Sequence, residues 1–414
     1  MARIFMDTTI TLLKNIELNT GKIVTVQGWV YDKRNLGGII FLNIGDGTAY
    51  AQVVITRDNL TEFDNYREIR KGTVIKVIGV VNKEKSKIEI SCKKLNILGS
   101  SNDVSTNSFI NTLTDSKKWA VLRIKHEIIA AINDFLRMND FVLAVPPLVL
   151  PDNGKKTGFS LDFYDCKALL SQSSALYMVA YALAFNRAYS VHPAFRAEKS
   201  NTKKHLAEFW MLEAEAVNAN FQQIMDFTEE LVIFVLKKVL QNMKRELELL
   251  NRRVSLLRYV EEPFSRVTYD KAVDELQSKG YQIERGKGLG KYERVISKQY
   301  NGPVFVTNYP IRIGSWTAKP CTNKTSLSFN LIAPEGFGEI VEGGERISNY
   351  RVYQKKFEMA GIDSLDWFVE LNKYGPVLHS GFGLGIERLC MWLCGLNDIQ
   401  DTVGFPRKMN KLYP

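Results

Sequence analysis

Residues 22–96 alternate apolar and polar side chains over short runs, and this pattern constrains the fold most. The runs are "KIVTVQGWVYDKR", "GGIIFLNIGDG", "AYAQVVIT", "TVIKVIGVVNK" and "SKIEISCKKLNIL", with Gly-Gly, Asp-Gly and Asn-Lys turns between them. A period of two places alternate side chains on opposite faces of a strand, so that one face of each run can be buried. Five such strands within about 75 residues predict a small closed β-barrel.

Small five-stranded barrels such as the OB-fold provide a binding surface for single-stranded nucleic acid. The chain carries 55 Lys and Arg against 45 Asp and Glu, a formal net charge of +10. That charge favours an anionic partner such as nucleic acid or a nucleotide, although it also fits a solvated basic surface. A barrel that only spaces or dimerises the protein remains the alternative.

The composition is that of an ordinary globular protein, with 45% apolar and 24% charged residues in a chain of 414. That length predicts two or three domains. Five scattered cysteines suit a reducing compartment, and no apolar run reaches the length of a membrane span or forms a secretory pattern. We therefore expect a cytoplasmic protein.

Three consecutive segments make up the predicted organisation. Residues 1–98 contain the barrel. The stretch "GSSNDVSTNSFINTLTDS" is polar and aperiodic, and we predict a linker over residues 99–118. The second domain, residues 119–414, begins with an amphipathic helix. The apolar face of this helix carries Val121, Ile124, Ile128, Ile132 and Phe135.

The segment "FRAEKSNTKKHLAEFW", residues 195–210, combines basic and aromatic side chains between two strand-like runs. The order strand, loop and strand predicts a hairpin in which Arg196 projects from the end of a rigid element. Its planar guanidinium suits a phosphate. Lys203, Lys204 and His205 could meet further phosphates, and Phe209 could stack on a base. A solvated basic hairpin is the alternative for this loop taken alone.

A second arginine follows a glycine-rich strand near the C-terminus, in "GFGLGIERL", residues 381–389. Glycines allow a ligand to approach the backbone closely, and Arg388 lies at the start of the helix that follows. The glycine spacing differs from that of a dinucleotide-binding fingerprint. We interpret the segment as a strand that ends in an arginine facing a nucleotide.

These two segments, together with "INDFLRMNDFVLAVPP" at residues 132–147, resemble the three motifs of class II aminoacyl-tRNA synthetases. The resemblance covers nearly the whole chain, since "VQGWVYDKRNLGGIIFLNIGDG" resembles the anticodon-binding OB domain of the aspartyl, asparaginyl and lysyl subgroup. The segments "FRAEKSNT", "HLAEFW" and "LDWFVELNKYGPVLHSGFGLGIERL" look most like asparaginyl members, whereas "KLYP" is closer to aspartyl ones. The implied fold class is α+β, with an N-terminal OB-fold barrel and a catalytic antiparallel sheet flanked by helices.

The resemblance implies roles for individual positions in a nucleotide site. It implies Arg196 and Arg388 as the catalytic residues, the first on the α-phosphate of ATP and the second on the opposite side of the nucleotide. The ATP site would comprise Arg196, Glu198, His205, Phe209, Glu339 and Arg388. Glu339 and Glu342 would hold the cofactor Mg²⁺, although position 342 is usually glycine or serine in the family.

The resemblance also implies contacts to the other substrates and to a second copy of the chain. The amino-acid pocket would comprise Ala175, Met178, Glu213, Trp316 and Arg346. The tRNA partner would contact Arg34, Phe41 and Gln52, unless Phe41 belongs to the core of the barrel. Residues 119–150 would form a two-fold homodimer interface that buries neighbours of Ile128, Ile132 or Phe135.

The amino-acid pocket departs from the family pattern where the family binds the α-ammonium of its substrate. The loop "PDNGKKTGFSLDFYD" has Lys155 and Lys156 but no glutamate, and Ala175 stands where the family has glutamine. A buried ammonium without partners is costly. We therefore expect asparagine to be a poor substrate unless Glu213 or Asp165 compensates.

Three functions are compatible with this pattern. The first is ATP-dependent activation of asparagine or a related carboxylic acid as an acyl-adenylate, with transfer to tRNA. The second is a tRNA-independent amide ligase, like an asparagine synthetase, with a changed substrate. The third is a non-catalytic tRNA-binding relative. The retained arginine motifs oppose the third function, and the barrel favours the first over the second.

Overall fold

The computed structural model describes most of the chain, in two compact units. The described residues are 10–57, 66, 69–84, 87–101, 115–152, 157–200, 202–257, 263–360, 365–374 and 377–413. The first unit spans Met1–Trp119 and the second Ala120–Pro414. No helix in these ranges is both long enough and apolar enough to cross a membrane.

Five strands form a closed barrel in the first unit. They are β1 (Ile23–Asn35), β2 (Ile39–Gly45), β3 (Tyr50–Thr56), β4 (Val74–Glu84) and β5 (Lys87–Gly99), in the order β1-β2-β3-β5-β4. Alternate side chains fill the interior, where Val26, Leu42 and Val77 are fully buried. The predicted five-stranded barrel is confirmed.

An eight-stranded sheet forms the centre of the second unit. Its strands are β6 (Val142–Leu143), β10 (Arg187–Phe195), β11 (Glu208–Val217), β12 (Ser265–Thr268), β13 (Val304–Thr307), β14 (Ser328–Ala333), β15 (Gly338–Glu345) and β16 (His379–Gly385). Their order is β12-β13-β14-β15-β16-β11-β10-β6. The six central strands are antiparallel, as predicted, whereas the short edge strands β6 and β12 pair in parallel with their neighbours.

Nine α-helices surround this sheet among the described residues. They are α1 (Ser116–Met138), α2 (Ala175–Phe185), α3 (Phe221–Asn242), α4 (Lys244–Leu249), α5 (Tyr269–Ser278), α6 (Glu293–Ile296), α7 (Tyr350–Ala360), α8 (Asp366–Tyr374) and α9 (Ile386–Cys394). The predicted apolar face of α1 is buried in one core together with side chains of α3, α9 and the sheet. Ile128, Ile132 and Phe135 therefore pack inside their own chain.

A second, three-stranded sheet lies beside the end of β10. It contains β7 (Val149–Pro151), β8 (Ser160–Phe163) and β9 (Cys166–Leu170), in the order β7-β9-β8. The backbone N–H of Phe195 donates to the carbonyl of Ser171 (2.8 Å), and that of Ala197 donates to Thr157 (2.8 Å). These bonds hold the small sheet against the first residues of the basic hairpin loop.

The predicted linker falls mostly outside the described residues. Strand β5 ends at Gly99, α1 begins at Ser116, and residues 102–114 are not described. The domain boundaries at 98 and 119 stay predictions.

Candidate active site

Arg196 projects from the end of a fully paired hairpin. Strands β10 and β11 pair as far as Phe195 with Glu208, and the backbone N–H of Arg196 then donates to the carbonyl of Ala207 (2.9 Å). The guanidinium carbon of Arg196 lies 5.2 Å from the centroid of the Phe209 ring. Both contacts orient the arginine before a ligand binds.

Arg388 is fixed by an ion pair with the neighbouring strand. Strand β16 ends at Gly385, and Arg388 lies in the first turn of α9. Its Nη1 donates to Oε1 of Glu339 on β15 (2.8 Å), and Oε2 of the same carboxylate accepts from Asn330 (2.7 Å). The ion pair therefore holds the guanidinium at one face of the sheet.

A β-bulge in β15 brings two carboxylates to that same face. Residues 339 and 342 are three apart, and a regular strand would direct them to opposite faces. The register against β14 shifts where Ile332 pairs with Glu339, and Ile340 is the extra residue. Glu339 and Glu342 consequently face one cavity.

This cavity has a volume of about 600 Å³ and contains the predicted nucleotide residues. All six residues predicted for the ATP site line it: Arg196, Glu198, His205, Phe209, Glu339 and Arg388. Four of the five residues predicted for the amino-acid pocket line it as well: Ala175, Glu213, Trp316 and Arg346. The hairpin segment 195–210 and the glycine-rich segment 381–389, which are far apart in the sequence, thus meet at one site.

A glycine separates two carboxylates in the floor of the cavity. Gly383 on β16 pairs with Glu213 of β11 on one side and with Glu342 of β15 on the other. A methyl group on Gly383 would lie 3.1 Å from Cε of Met211 and 3.6 Å from Cγ of Glu213. Because Gly383 has no side chain, the space between the two acids is open to a ligand.

Glu213 is the centre of a buried polar cluster. Its carboxylate accepts hydrogen bonds from the Ser173 hydroxyl and from both the backbone N–H and the hydroxyl of Ser174. Nε2 of His192 lies 2.8 Å from it, and both side chains are buried. Burial alone would raise the pKa of Glu213, but His192 and the serines lower it below its ordinary value. Burial alone would lower the pKa of His192, but Glu213 raises it, so the two form an ion pair.

Arg346 is held by a second buried acid. Its Nη2 and Nε donate to Oε1 of Glu215 (2.6 and 2.9 Å), and its Nη1 donates to the Thr317 hydroxyl (3.0 Å). A methyl group on Gly381 would lie 2.1 Å from the Glu215 carboxyl carbon, so glycine is needed there. The forked ion pair fixes the direction of Arg346 within the cavity wall.

Family models match both units of the chain. A model described as "tRNA synthetases class II (D, K and N)" matches residues 102–409, and one described as "OB-fold nucleic acid binding domain" matches residues 24–98. The chain belongs to the class II tRNA synthetases.

Named relatives cover this synthetase almost from end to end. An asparagine–tRNA ligase of Desulforamulus reducens is 37% identical over 426 aligned positions, which span 98% of this chain and 99% of the relative. One of Pelotomaculum thermopropionicum is 36% identical and spans 97% and 99%. The crystal structure of asparaginyl-tRNA synthetase from Pyrococcus horikoshii complexed with asparaginyl-adenylate has a TM-score of 0.90 at 32% identity, with 98% and 99% of the two chains covered.

Positive charge dominates one wall of the synthetase cavity. Burial and then the charge of Arg388 lower the pKa of His205, so this imidazole is neutral near pH 7. Burial also lowers the pKa of Lys204. A phosphate at this wall would stabilise the charged forms of both residues.

Negative charge collects beside these basic groups, since Glu339 pairs with Arg388 and Glu293 acts on Lys204. The Glu342 side chain is open to the cavity, and the surrounding protein and then the Glu339 carboxylate raise its pKa. The same two causes raise the pKa of Glu293, whose Oε2 accepts the backbone N–H of Glu339 (3.1 Å). Such crowding of carboxylates suits a bound cation.

Some predicted positions lie away from the cavity. Met178 is fully buried within α2 and does not line it, although Ala175 at the start of that helix does. Asp165 is exposed on the turn between β8 and β9 and does not line it. Lys155 and Lys156 lie outside the described residues.

Sequence reasoning does not find His192, Ser174 or Glu215 as members of the site. The available signal is a histidine inside the otherwise apolar run "RAYSVHPAF" and two acids at alternate positions in "MLEAEAV". Alternation places both acids on one face of β11. The partners of these acids come from other elements, so only the fold shows how the charges are paired.

In the first unit, the three predicted tRNA contacts share one outer face of the barrel. Phe41 is half-buried and does not belong to the barrel core, which excludes the core alternative. Arg34 pairs with Phe41 across β1 and β2, with its guanidinium carbon 6.0 Å from the ring centroid. Gln52 pairs with Asn43, two residues along β2 from Phe41, so it lies on the same face.

Proposed function

We propose that this synthetase activates asparagine with ATP as asparaginyl-adenylate and transfers the asparaginyl group to tRNA. One observation carries the proposal. Arg196, Arg388 and Glu339 line a single cavity, and the chain is similar to asparagine–tRNA ligases over almost the whole length of both.

Adenylate formation joins the substrate carboxylate to the α-phosphorus of ATP and releases pyrophosphate. Negative charge builds up on the phosphate oxygens in the transition state, and a preorganised guanidinium lowers the barrier. We assign that role to Arg196. Arg388 and His205 bind the pyrophosphate portion from the opposite side. Phe209 stacks on the adenine, and Glu198 lies beside the nucleotide.

Mg²⁺ fits the acidic wall of the cavity. Glu339 and Glu342 offer carboxylate oxygens, which this ion prefers as ligands. Burial and then repulsion from Glu339 raise the pKa of Glu342, and a cation bound at Glu339 would relieve the repulsion. Glu339 would hold the ion. When bound, Mg²⁺ would neutralise charge on the triphosphate.

The part of the cavity near Glu213 and Arg346 suits a substrate with a small polar side chain. Arg346 would donate to the side-chain carbonyl of asparagine. Because Glu215 already neutralises Arg346, a neutral amide suits this position better than a second carboxylate. Ala175, Glu213 and Trp316 line the same end of the cavity and complete the pocket. Met178 has no contact with the substrate in this proposal.

The barrel would bind the anticodon of the tRNA. Phe41 offers a ring on which a base can stack, and Arg34 and Gln52 add polar groups to the same face. The reaction needs ATP and tRNA, which the cytoplasm supplies, so we infer that the protein works there.

We further infer a two-fold homodimer through the segment that follows α1. Since Ile128, Ile132 and Phe135 pack in their own core, the partner would contact nearby exposed apolar residues instead. Leu143 and Val145 are 54% and 82% exposed. A light-scattering mass equal to one chain at micromolar concentration would contradict this inference.

Asparagine-dependent exchange of label between pyrophosphate and ATP tests the proposed activation step. We expect exchange with asparagine and little with aspartate. Exchange supported by another carboxylic acid but not by asparagine would contradict the proposal.

A further inference from the structure

Four carboxylates of strands β11 and β15 lie in or directly under the floor of the cavity, and three of them have an ion-pair partner. The other acids that line the cavity, Glu198 and Glu387, belong to the hairpin loop and to α9. Glu213 pairs with His192, Glu215 with Arg346, and Glu339 with Arg388. Within the described part of the chain, Glu342 has no basic side chain within 4.0 Å. From a greater distance, the charges of Arg346 and Arg196 act on its carboxylate, together with the Ser315 side chain.

The position of Glu342 in β15 places its carboxylate near Glu213, in the part of the cavity proposed for the amino-acid substrate. It pairs with Gly383, beyond which lies Glu213. Neighbouring strands lie about 4.8 Å apart, so the backbones of the two acids are about 10 Å from each other. Two glutamate side chains and one nitrogen can span that distance.

Glu213 has limited capacity left for a ligand. Its Oε2 accepts from the Ser174 hydroxyl and backbone N–H and contacts His192, while its Oε1 accepts from the Ser173 hydroxyl. A carboxylate has about four acceptor positions, two on each oxygen. One position on Oε1 therefore remains, and Oε1 lies 3.8 Å from where a side chain of Gly383 would begin.

We propose that Glu342 accepts the α-ammonium group of the amino-acid substrate in the space above Gly383, with Oε1 of Glu213 as a second acceptor. This inference rests on the proposed function, because it takes an amino acid as the substrate. Glu342 supplies the net negative charge that an ammonium needs in an enclosed site, whereas His192 already offsets the charge of Glu213. Glu342 thereby selects α-amino acids over acids that lack the amino group.

Pyrophosphate exchange by Glu342→Gln tests this role with two probes, asparagine and succinamic acid, which is asparagine without its α-amino group. We expect the KM for asparagine to rise about 10- to 100-fold, because a charge-assisted hydrogen bond is lost. The KM for ATP, the Mg²⁺ concentration for half-maximal exchange and any exchange with succinamic acid should change less than threefold. Glu230→Gln, the same change at an exposed glutamate of α3 outside the cavity, should behave as the parental protein.

Two results in the exchange assay would overturn the inference. If Glu342→Gln raised the Mg²⁺ requirement and the KM for ATP and slowed both acids equally, Glu342 would be a metal ligand. If it left the KM for asparagine unchanged, the ammonium would be held elsewhere.

Calorimetric titration with asparagine separates this inference from the proposed function. The parental protein could bind asparagine without showing exchange activity, and Glu342→Gln could abolish that binding. This result would refute the proposed reaction and support the ammonium contact. A parental protein that does not bind asparagine would refute the contact itself.

Discussion

Arg196 and Arg388 are the side chains on which the proposed reaction depends most. Arg196→Ala and Arg388→Ala should each lower asparagine-dependent pyrophosphate exchange by a factor of about 100 or more, because each removes a preorganised charge from the phosphates. Arg285→Ala is the matched control, since this arginine is exposed and outside the cavity, and it should leave exchange unchanged. Near-parental exchange by either cavity variant would contradict the assignment.

The His192–Glu213 pair predicts a pH dependence of stability. The pKa of His192 is raised above 6.5, so its contribution is fully present below pH 6.5 and is lost as the pH rises through the raised pKa. The pKa of Glu213 is lowered, so its contribution is present above pH 4.5 and is lost in more acidic solution. His192→Gln should lower the free energy of unfolding near pH 6 by about 3 kcal/mol.

Urea unfolding of both proteins at a series of pH values measures this effect. The parental protein should lose stability as the pH rises above 6.5 by more than the variant does. Equal slopes for the two proteins would show that the pair is not ionised.

At the level of elements, two glycines of β16 predict opposite outcomes for the same substitution. A methyl group on Gly381 would collide with the buried Glu215 carboxyl group at 2.1 Å. Gly381→Ala should therefore lower the free energy of unfolding by about 1–3 kcal/mol or more. A methyl group on Gly383 would lie 3.1 Å from the flexible end of Met211 and at an ordinary contact distance, 3.6 Å, from Glu213, so Gly383→Ala should keep near-parental stability.

The kinetic effect of Gly383→Ala completes this comparison. The added methyl group narrows the floor of the cavity, so the KM for asparagine should rise while the KM for ATP changes little. Thermal unfolding and pyrophosphate exchange measure the two effects. A destabilised Gly383→Ala protein, or one with an unchanged KM for asparagine, would contradict the conclusion that the space above Gly383 is open to the substrate.

The barrel predicts a separate effect on tRNA binding. Phe41→Ala should weaken the binding of tRNA by about 1–3 kcal/mol, because a stacking surface is lost, and it should change barrel stability less. Ile97→Ala removes an exposed apolar side chain from β5 and serves as the control. Filter binding at low salt measures both variants. Equal binding by the two would place the tRNA contact elsewhere.

The sequence predicts the elements better than it predicts the pairing of charges. Period-two alternation, turn residues and the apolar stripe of α1 are local signals, and the barrel, the hairpin and this helix follow from them. The bulge at Ile340 depends on the register against β14, so no local pattern shows that Glu339 and Glu342 share a face. The family resemblance identifies both arginines but not His192 as the partner of Glu213.

At the scale of the whole molecule, both units have family matches that fit one reaction. The residues proposed for adenylate formation line one cavity of the catalytic unit, and the barrel has the half-buried Phe41, which we propose stacks on a base. A tRNA-independent ligase would need the cavity but not the barrel. The presence of both units therefore makes transfer to tRNA the central claim.

Charging of tRNA with labelled asparagine tests that claim most directly. The parental protein is incubated with ATP, Mg²⁺, bulk tRNA and labelled asparagine, with labelled aspartate in a parallel reaction, and acid-precipitable label is counted. We expect label on the tRNA with asparagine and little with aspartate. Asparagine-dependent pyrophosphate exchange without any label on the tRNA would contradict the proposed transfer.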